Sequence, residues 1–330
     1  MQKKTLITIL IIILLGVMVT DIKINGSKVF ESFFRRLQTE SMENLANKGV
    51  NIGINIDDQA DYEKKGSEII NPNGSEKLNI NNTLGSIRIE GEKRDDIKVD
   101  YKITVFAEDE KRAEEFGEKL ELELNSQKDT LEIMVLKNNL PSHINGIRVD
   151  YEIKAPENMF LNLKNKHGIM DVNNFKNGVI LNNSFEKMNI KNISGNNIEI
   201  TTAFNKAQIK DFNGDLSFYG SYSNNEIIDI NGAVDIETKY GGSSIKNVGD
   251  TVIKADYCDT KIIDPKSTIK ADTKYGDLVV KEISENLNVN SSYTDMEIKF
   301  RDDFNDYNLY TETEYGKINT SFPLDIIEEG

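Results

Sequence analysis

The sequence is poor in the residues that most reaction and metal chemistry relies on. Cysteine occurs once, at Cys258, and histidine twice, at His143 and His167, among 330 residues. A single cysteine excludes an intramolecular disulfide, so an exported form would be held together by its fold alone. Cys258 also lies too far from the N-terminus to carry a lipid anchor and reads as a small buried or edge residue. Two histidines without a cysteine near either do not support a zinc site. Basic excess is missing as well: 55 acidic residues face 40 basic ones, a net charge of −15 spread along the chain. Phosphate binding needs a basic patch that releases counterions, so nucleic acid is not an expected partner. Hydrophobic residues make up 38% of the chain, enough for a real core rather than a disordered tail.

The one long apolar run is at the start. Lys3 and Lys4 precede Thr5 to Thr20 (TLITILIIILLGVMVT), which ends at Asp21. This is a basic head followed by an apolar segment, and Ile22 and Ile24 extend it toward the length of a spanning helix. Between Gly16 and Thr20 there is no A-x-A-like pattern of small residues, which favours an uncleaved signal anchor over residues 1–24 against a cleaved signal peptide. Lys23, Lys28, Arg35 and Arg36 follow the segment, and counting them alone would leave the large domain in the cytoplasm. The short basic head before a short apolar run is the export pattern, so the expectation is a single-pass cell-membrane protein with its large domain extracytoplasmic. Over residues 25–75 a juxtamembrane helix and a linker are expected. Phe30, Phe33, Phe34 and Leu37 give the helix one apolar face, to lie on headgroups with Arg35 and Arg36 reaching phosphates or to pack on the first strands. Asn47 to Ser75 reads as linker with a strand at Val50 to Ile56.

The second half repeats. Ring residues recur at His167, Phe185, Phe204, Tyr222, Tyr240, Tyr257, Tyr275, Tyr293 and Tyr315, in steps of 18, 19, 18, 18, 17, 18, 18 and 22. With each ring as position zero, −6 and −4 are nearly all aliphatic (Val234 and Ile236, for example), and −2 is small or amide (Thr202, Gly220, Thr238, Ala255, Ser291). Position +5 is aliphatic from Val172 to Ile298, and +8 runs Phe175, Ile193, Phe212, Ile230, Val248, Pro265, Ile283. Alternation at period two marks strands with one buried face. Each unit holds two short strands, one ending at the ring and one around +3 to +5, with Asn-Gly pairs and glycines after several rings at the corners. One such unit cannot bury its own inner face, so units must stack. The predicted fold is mainly β: a β-solenoid of coils of about 18 residues, about 40 Å long for nine coils. Leu78, Ile80, Asn82, Leu84, Ile87 and Ile89 fit the same columns and form a first coil, set apart by an insertion over 94–157. The insertion reads as β-α-β-β: Ile97 to Phe106, a charged helix from Glu108 to Leu120, then strands at Thr130 to Leu136 and Ile147 to Lys154. It would cover or extend the first coils, an end that otherwise presents an unpaired edge. The domain spans 76–323 and an acidic tail 324–330 follows.

On LGSIRIEGEKRDDIKVDYK (84–102), AEDEKRAEEF (107–116), VDYEIKAPENMFLNLKNKHGIMDV (149–172) and the Tyr-Gly coils after them, residues 76–323 resemble the bacterial "putative adhesin" β-strand-repeat family, a domain of unknown function. The resemblance implies an extracytoplasmic location, binding or scaffold roles and, in some members, a link to envelope-stress responses. It implies no catalytic residues.

The residues themselves point the same way. His167 occupies the ring column and reads as a wall residue rather than a base; His143 sits in a loop with Pro141 and Ser142. Apolar columns at −6, −4, +5 and +8 do not recur every six residues, which disfavours the left-handed hexapeptide helix. Asp211 with Asp215, and Asp302 with Asp303, have the residue types for acid-base work but read as acidic turns. Asp302, Asp303, Asn305 and Asp306 cluster as calcium ligands would, yet neither an EF-hand loop nor a glycine-rich nonapeptide is there. In phase with the aliphatic columns, the rings are expected to point inward as a core ladder rather than outward as a sugar platform. Binding is then expected at outward strand positions: Glu199, Thr201, Glu237, Lys239, Asp272 and Lys274. The expected function is a membrane-anchored, non-enzymatic binding or scaffold module without cofactor or metal. Its expected partners are the membrane and an envelope or cell-surface protein or polysaccharide. An envelope-stress sensor contacting another membrane protein and a wall-polysaccharide-active enzyme are the alternatives.

Overall fold

In the computed structural model, residues 60–135, 140–301 and 308–320 are described. The chain opens with β1 (Ala60–Ile70), β2 (Lys77–Leu84), β3 (Ile87–Glu92) and β4 (Ile97–Ala107), then helix α1 (Glu110–Gly117) and strands β5 (Glu123–Gln127), β6 (Thr130–Met134) and β7 (Ile144–Pro156). The repeat follows as β8 (Phe160–His167), β9 (Met170–Phe175), β10 (Val179–Ser184), β11 (Met188–Ser194), β12 (Ile198–Ala203), β13 (Lys206–Asn213), β14 (Leu216–Ser221) and β15 (Asn224–Asn231). It continues through the long strands β16 (Val234–Val248), β17 (Thr251–Ile263), β18 (Ile269–Ile283) and β19 (Leu287–Phe300) to β20 (Leu309–Glu314) and β21 (Ile318–Thr320).

Every ring step reappears as a parallel register. Val179 pairs with Ile198, 19 residues on, Val234 with Thr251, 17 on, and Leu287 with Leu309, 22 on. The odd steps are absorbed between +8 and the next −6, so both strands of each coil stay in phase. Ladder one therefore runs β2-β8-β10-β12-β14-β16-β17-β18-β19-β20, and ladder two runs β3-β9-β11-β13-β15-β16-β17-β18-β19-β21. The aliphatic columns meet between them: Val234, Ile236, Ile245 and Val248 of one coil are all at most 2% exposed. Each such side chain is worth about 1.5–3 kcal/mol on burial. The first coil is where the columns placed it, with Leu78 opposite Leu161 and Leu84 opposite His167.

The insertion does extend the first coil. β6 pairs parallel with β2 and β7 with β3, adding one more layer to each ladder. It has one strand more than the β-α-β-β reading, because Glu123–Gln127 forms a hairpin with β6; with the pattern eeiee it buries no face that periodicity could reveal. The helix is shorter than expected: Asp109 caps it, its carboxylate accepting the Arg112 N–H at 2.9 Å, and Ala113 and Gly117 turn inward.

Part of the expected linker is strand. Residues 60–70 pair antiparallel with β4 along its whole length and form the outer edge of the insertion. The sequence hides this because β1 is an edge strand rich in charge, a common guard against further pairing. At its centre Gly66 faces Tyr101. A Cβ on Gly66 would lie 2.2 Å from Tyr101 Cζ, so the tyrosine covers the glycine. Among the described residues no helix is long and apolar enough to cross a membrane. The segment Thr5 to Thr20, the juxtamembrane helix, the strand at Val50 to Ile56, the loop Asp302 to Asp306 and the tail 324–330 lie outside the described residues.

Candidate functional site

The ring column builds the most continuous surface feature of the molecule. From His167 to Tyr315 each ring stacks on the next with centroids 4.7–5.2 Å apart and planes within 15° of parallel. The ladder exists, but it does not point inward. Phe185 is 37% exposed, Tyr275 37%, Tyr293 48% and Tyr315 71%. The reason is in the backbone: Phe185, Phe204, Tyr222, Tyr240, Tyr257, Tyr275, Tyr293 and Tyr315 all have φ between 52° and 66°. A left-handed residue breaks the extended alternation, so a side chain that period two would send inward emerges at the corner. Left-handed backbone costs a non-glycine residue about 1–2 kcal/mol, and stacking at about 0.5–1.5 kcal/mol per aromatic pair offsets it.

A second left-handed column stands at +7: Asn174, Asn192, Asp211, Asp229, Asn247, Asp264 and Glu282. Asn and Asp tolerate this conformation best, so the column is legible in the sequence as an Asn/Asp recurrence just before the apolar +8 column. It places Asp211 at a corner, 3.9 Å from Lys191. Asp215 has a different task, its carboxylate accepting the Ala233 N–H of the next coil at 2.8 Å. The two do not act as a pair.

The named outward residues all lie on the outer face of ladder one. There Glu237 faces Lys254 and Lys254 faces Asp272, while Lys239 faces Asp256 and Asp256 faces Lys274. Opposite charges sit directly across every one of these pairs, which is the favourable arrangement in a sheet. Glu237 and Lys239 are also 3.1 Å apart, and that hydrogen bond holds the lysine above its usual range. Glu199 and Thr201 lie two coils earlier, beside Ser217 and Tyr219. The face is a charge-balanced lattice bordered by the ring ladder.

A shallow open groove of about 530 Å³ lies where the insertion meets the second corner, lined by Glu92, Glu157, Asn174, Lys176, Asn192 and Asp211 among others. Two of its acids are paired closely, Glu157 with Lys176 at 2.8 Å and Glu92 with Lys154 at 2.5 Å. The Lys154 hydrogen bond holds Glu92 below the usual carboxylate range, the opposite of what a general acid needs. Among the described residues no group of three or more His, Cys, Asp or Glu side chains could hold a metal ion. His167 heads the ring ladder, stacked on Phe185 at 4.7 Å, and burial lowers its pKa. Cys258 is buried, and burial raises its thiol.

The profile described as Toastrack DUF4097 matches residues 75–328. No curated protein matches the chain. Among solved structures, a "putative lipid binding protein" from Parabacteroides distasonis is 13% identical, with 80% of this chain and 97% of that one covered and a TM-score of 0.41. A "putative cell adhesion protein" from Clostridium sporogenes is 15% identical, covering 78% and 99%, with a TM-score of 0.26. A "putative adhesin" from Parabacteroides merdae is 12% identical, covering 78% and 97%, with a TM-score of 0.37.

Proposed function

From the premise that this chain belongs to the Toastrack DUF4097 family, a β-repeat family of unknown function, we propose that it is a non-enzymatic surface module, tethered to the cell membrane by Thr5 to Thr20, that presents a rigid solenoid to envelope or external partners. The observation that carries this reading is the outer face of ladder one. Its cross-strand charges neutralise one another from Glu237 to Lys274, so the face is wettable without a single-sign field. A stacked ring edge runs beside it. Such a surface suits broad contact with a protein or glycan layer better than the capture and turnover of one small substrate, which takes a concave pocket with a few convergent groups.

Protease shaving of intact cells that express the full-length chain, followed by N-terminal sequencing of the membrane-bound remainder, tests the tether and its side. Loss of the solenoid with retention of the Met1 region is expected. A solenoid protected from protease would overturn the topology, and a mature N-terminus beyond Thr20 would overturn the anchor. Crosslinking in the same cells separates two uses of the face: a single membrane protein recovered at near-stoichiometric yield would favour a regulator over an adhesin.

A further inference from the structure

The interior beneath the ring corner changes character in the middle of the solenoid. At column +3 the inward side chain is methionine in the early coils, at Met170 and Met188, and Leu278 and Met296 in later ones, all buried. Between them three consecutive coils place Asn225, Ser243 and Thr260 there, each stacked in register on the next. The facing column at −2 is small over the same coils, with Gly220, Thr238 and Ala255 in register. Short or polar side chains thus face one another across these coils, where Met170, Met188, Leu278 and Met296 fill the same column elsewhere.

These groups are enclosed and unpartnered within the protein. Ser223, Asn225, Ser243 and Thr260 are each at most 5% exposed. Their hydroxyls, together with both amide atoms of Asn225, are buried and have no hydrogen-bond partner. Asn225 Nδ2 and Ser223 Oγ both close on Gly220, where an added Cβ would lie 2.8 Å from the first and 3.0 Å from the second, so these two polar atoms converge on one point beside the glycine backbone. In earlier coils the amide N–H at this corner is used, Asn183 Nδ2 donating to the Glu186 carbonyl at 3.0 Å and Asn165 Nδ2 to the Gly168 carbonyl at 2.9 Å, although Oδ1 of each is also buried without a partner. Buried polar groups left without any partner cost more than an ordinary hydrogen bond contributes, and proteins meet that cost with ordered water where the site is polar and roomy.

We propose that the three central coils hold an internal hydration site, a file of ordered water molecules enclosed beneath Tyr222, Tyr240 and Tyr257 and bonded to Asn225, Ser243 and Thr260. At about three hydrogen bonds per buried water, these five atoms call for about two molecules. Ala207 ends the file on one side and Leu278 on the other, since these are the next residues in register.

Crystals of the full-length chain, studied at atomic resolution, test this. Discrete density is expected within hydrogen-bond reach of the Asn225 amide and the Ser243 and Thr260 hydroxyls. The variant Ser243→Ala should lose the peak that Ser243 anchors, and Ser243→Thr should keep it. Pressurising the same crystals with xenon gives a second reading: a polar, wet site excludes the gas, whereas a dry cavity admits it. Side chains bonded directly to one another with no density between them, or xenon bound at Asn225, would overturn the proposal.

Discussion

Tyr257 and Tyr275 stack with ring centroids 4.7 Å apart and planes 7° from parallel, and both do so from a backbone with φ of 56°. The contact between coils and the local conformation are thus two sides of one bargain. Neither ring would hold this corner alone.

Removing one ring separates the two contributions. Tyr257 stacks on both Tyr240 and Tyr275, so Tyr257→Ala should destabilise the fold by about 1–3 kcal/mol, the worth of two aromatic pairs. Tyr257→Gly loses the same stacking but frees the left-handed backbone, and should be as stable as the alanine variant or up to about 1 kcal/mol more stable. At the extended outward position Lys254 the order should reverse, with glycine the worse. Denaturant titration of the four variants checks this; alanine clearly better than glycine at 257 would refute the left-handed corner.

The cap at the N-terminal end depends on a glycine. Gly66→Ala puts a Cβ 2.2 Å from Tyr101 Cζ and should cost about 1–3 kcal/mol as overpacking. Pairing it with Tyr101→Leu should recover part of the loss, so the two changes are non-additive. Additive losses in a thermal-melt double-mutant cycle would mean that the ring does not lie over Gly66.

Acid should weaken the junction between the insertion and the first coil. Burial by itself would raise the Asp150 carboxyl, but hydrogen bonds from Arg148 at 2.8 Å and from the Ser86 N–H at 2.9 Å outweigh it, and the folded pKa is lowered. A lowered folded pKa gives stability that is complete above the unfolded value of about 4 and is lost as pH falls through the folded value. The stability difference between the wild-type chain and Asp150→Asn should therefore be constant from neutral pH down to about 5 and shrink below about 4. A difference that stays constant to pH 2 would show that Asp150 is not the titrating group.

Much of this architecture could be read before any coordinates. The −6, −4, +5 and +8 columns, mostly aliphatic, face inward as their alternation predicts, and Leu78 to Ile89 belong to the first coil because their spacing matches it. Burial of one face imposes period two, and stacking imposes the coil length, so both leave a pattern in the residues. What was not legible has equally definite causes. β1 looks like a linker because Lys64, Lys65 and Glu68 dominate it, and its strand character comes from the partner β4. The outward residues from Glu237 to Lys274 were visible as a mixed-sign set, but their direct opposition requires the register of neighbouring coils.

The ring ladder divides along the same line. The sequence alone determined that nine rings recur and belong to one column, because regular recurrence is a property of the chain. Only the tertiary structure decided that they stand at a surface corner instead of inside. A left-handed residue costs about 1–2 kcal/mol in isolation and is held here by contacts with rings one coil before and one coil after. The hydrophilic interior under Tyr240 follows the same logic: Asn225, Ser243 and Thr260 become neighbours only when the coils stack.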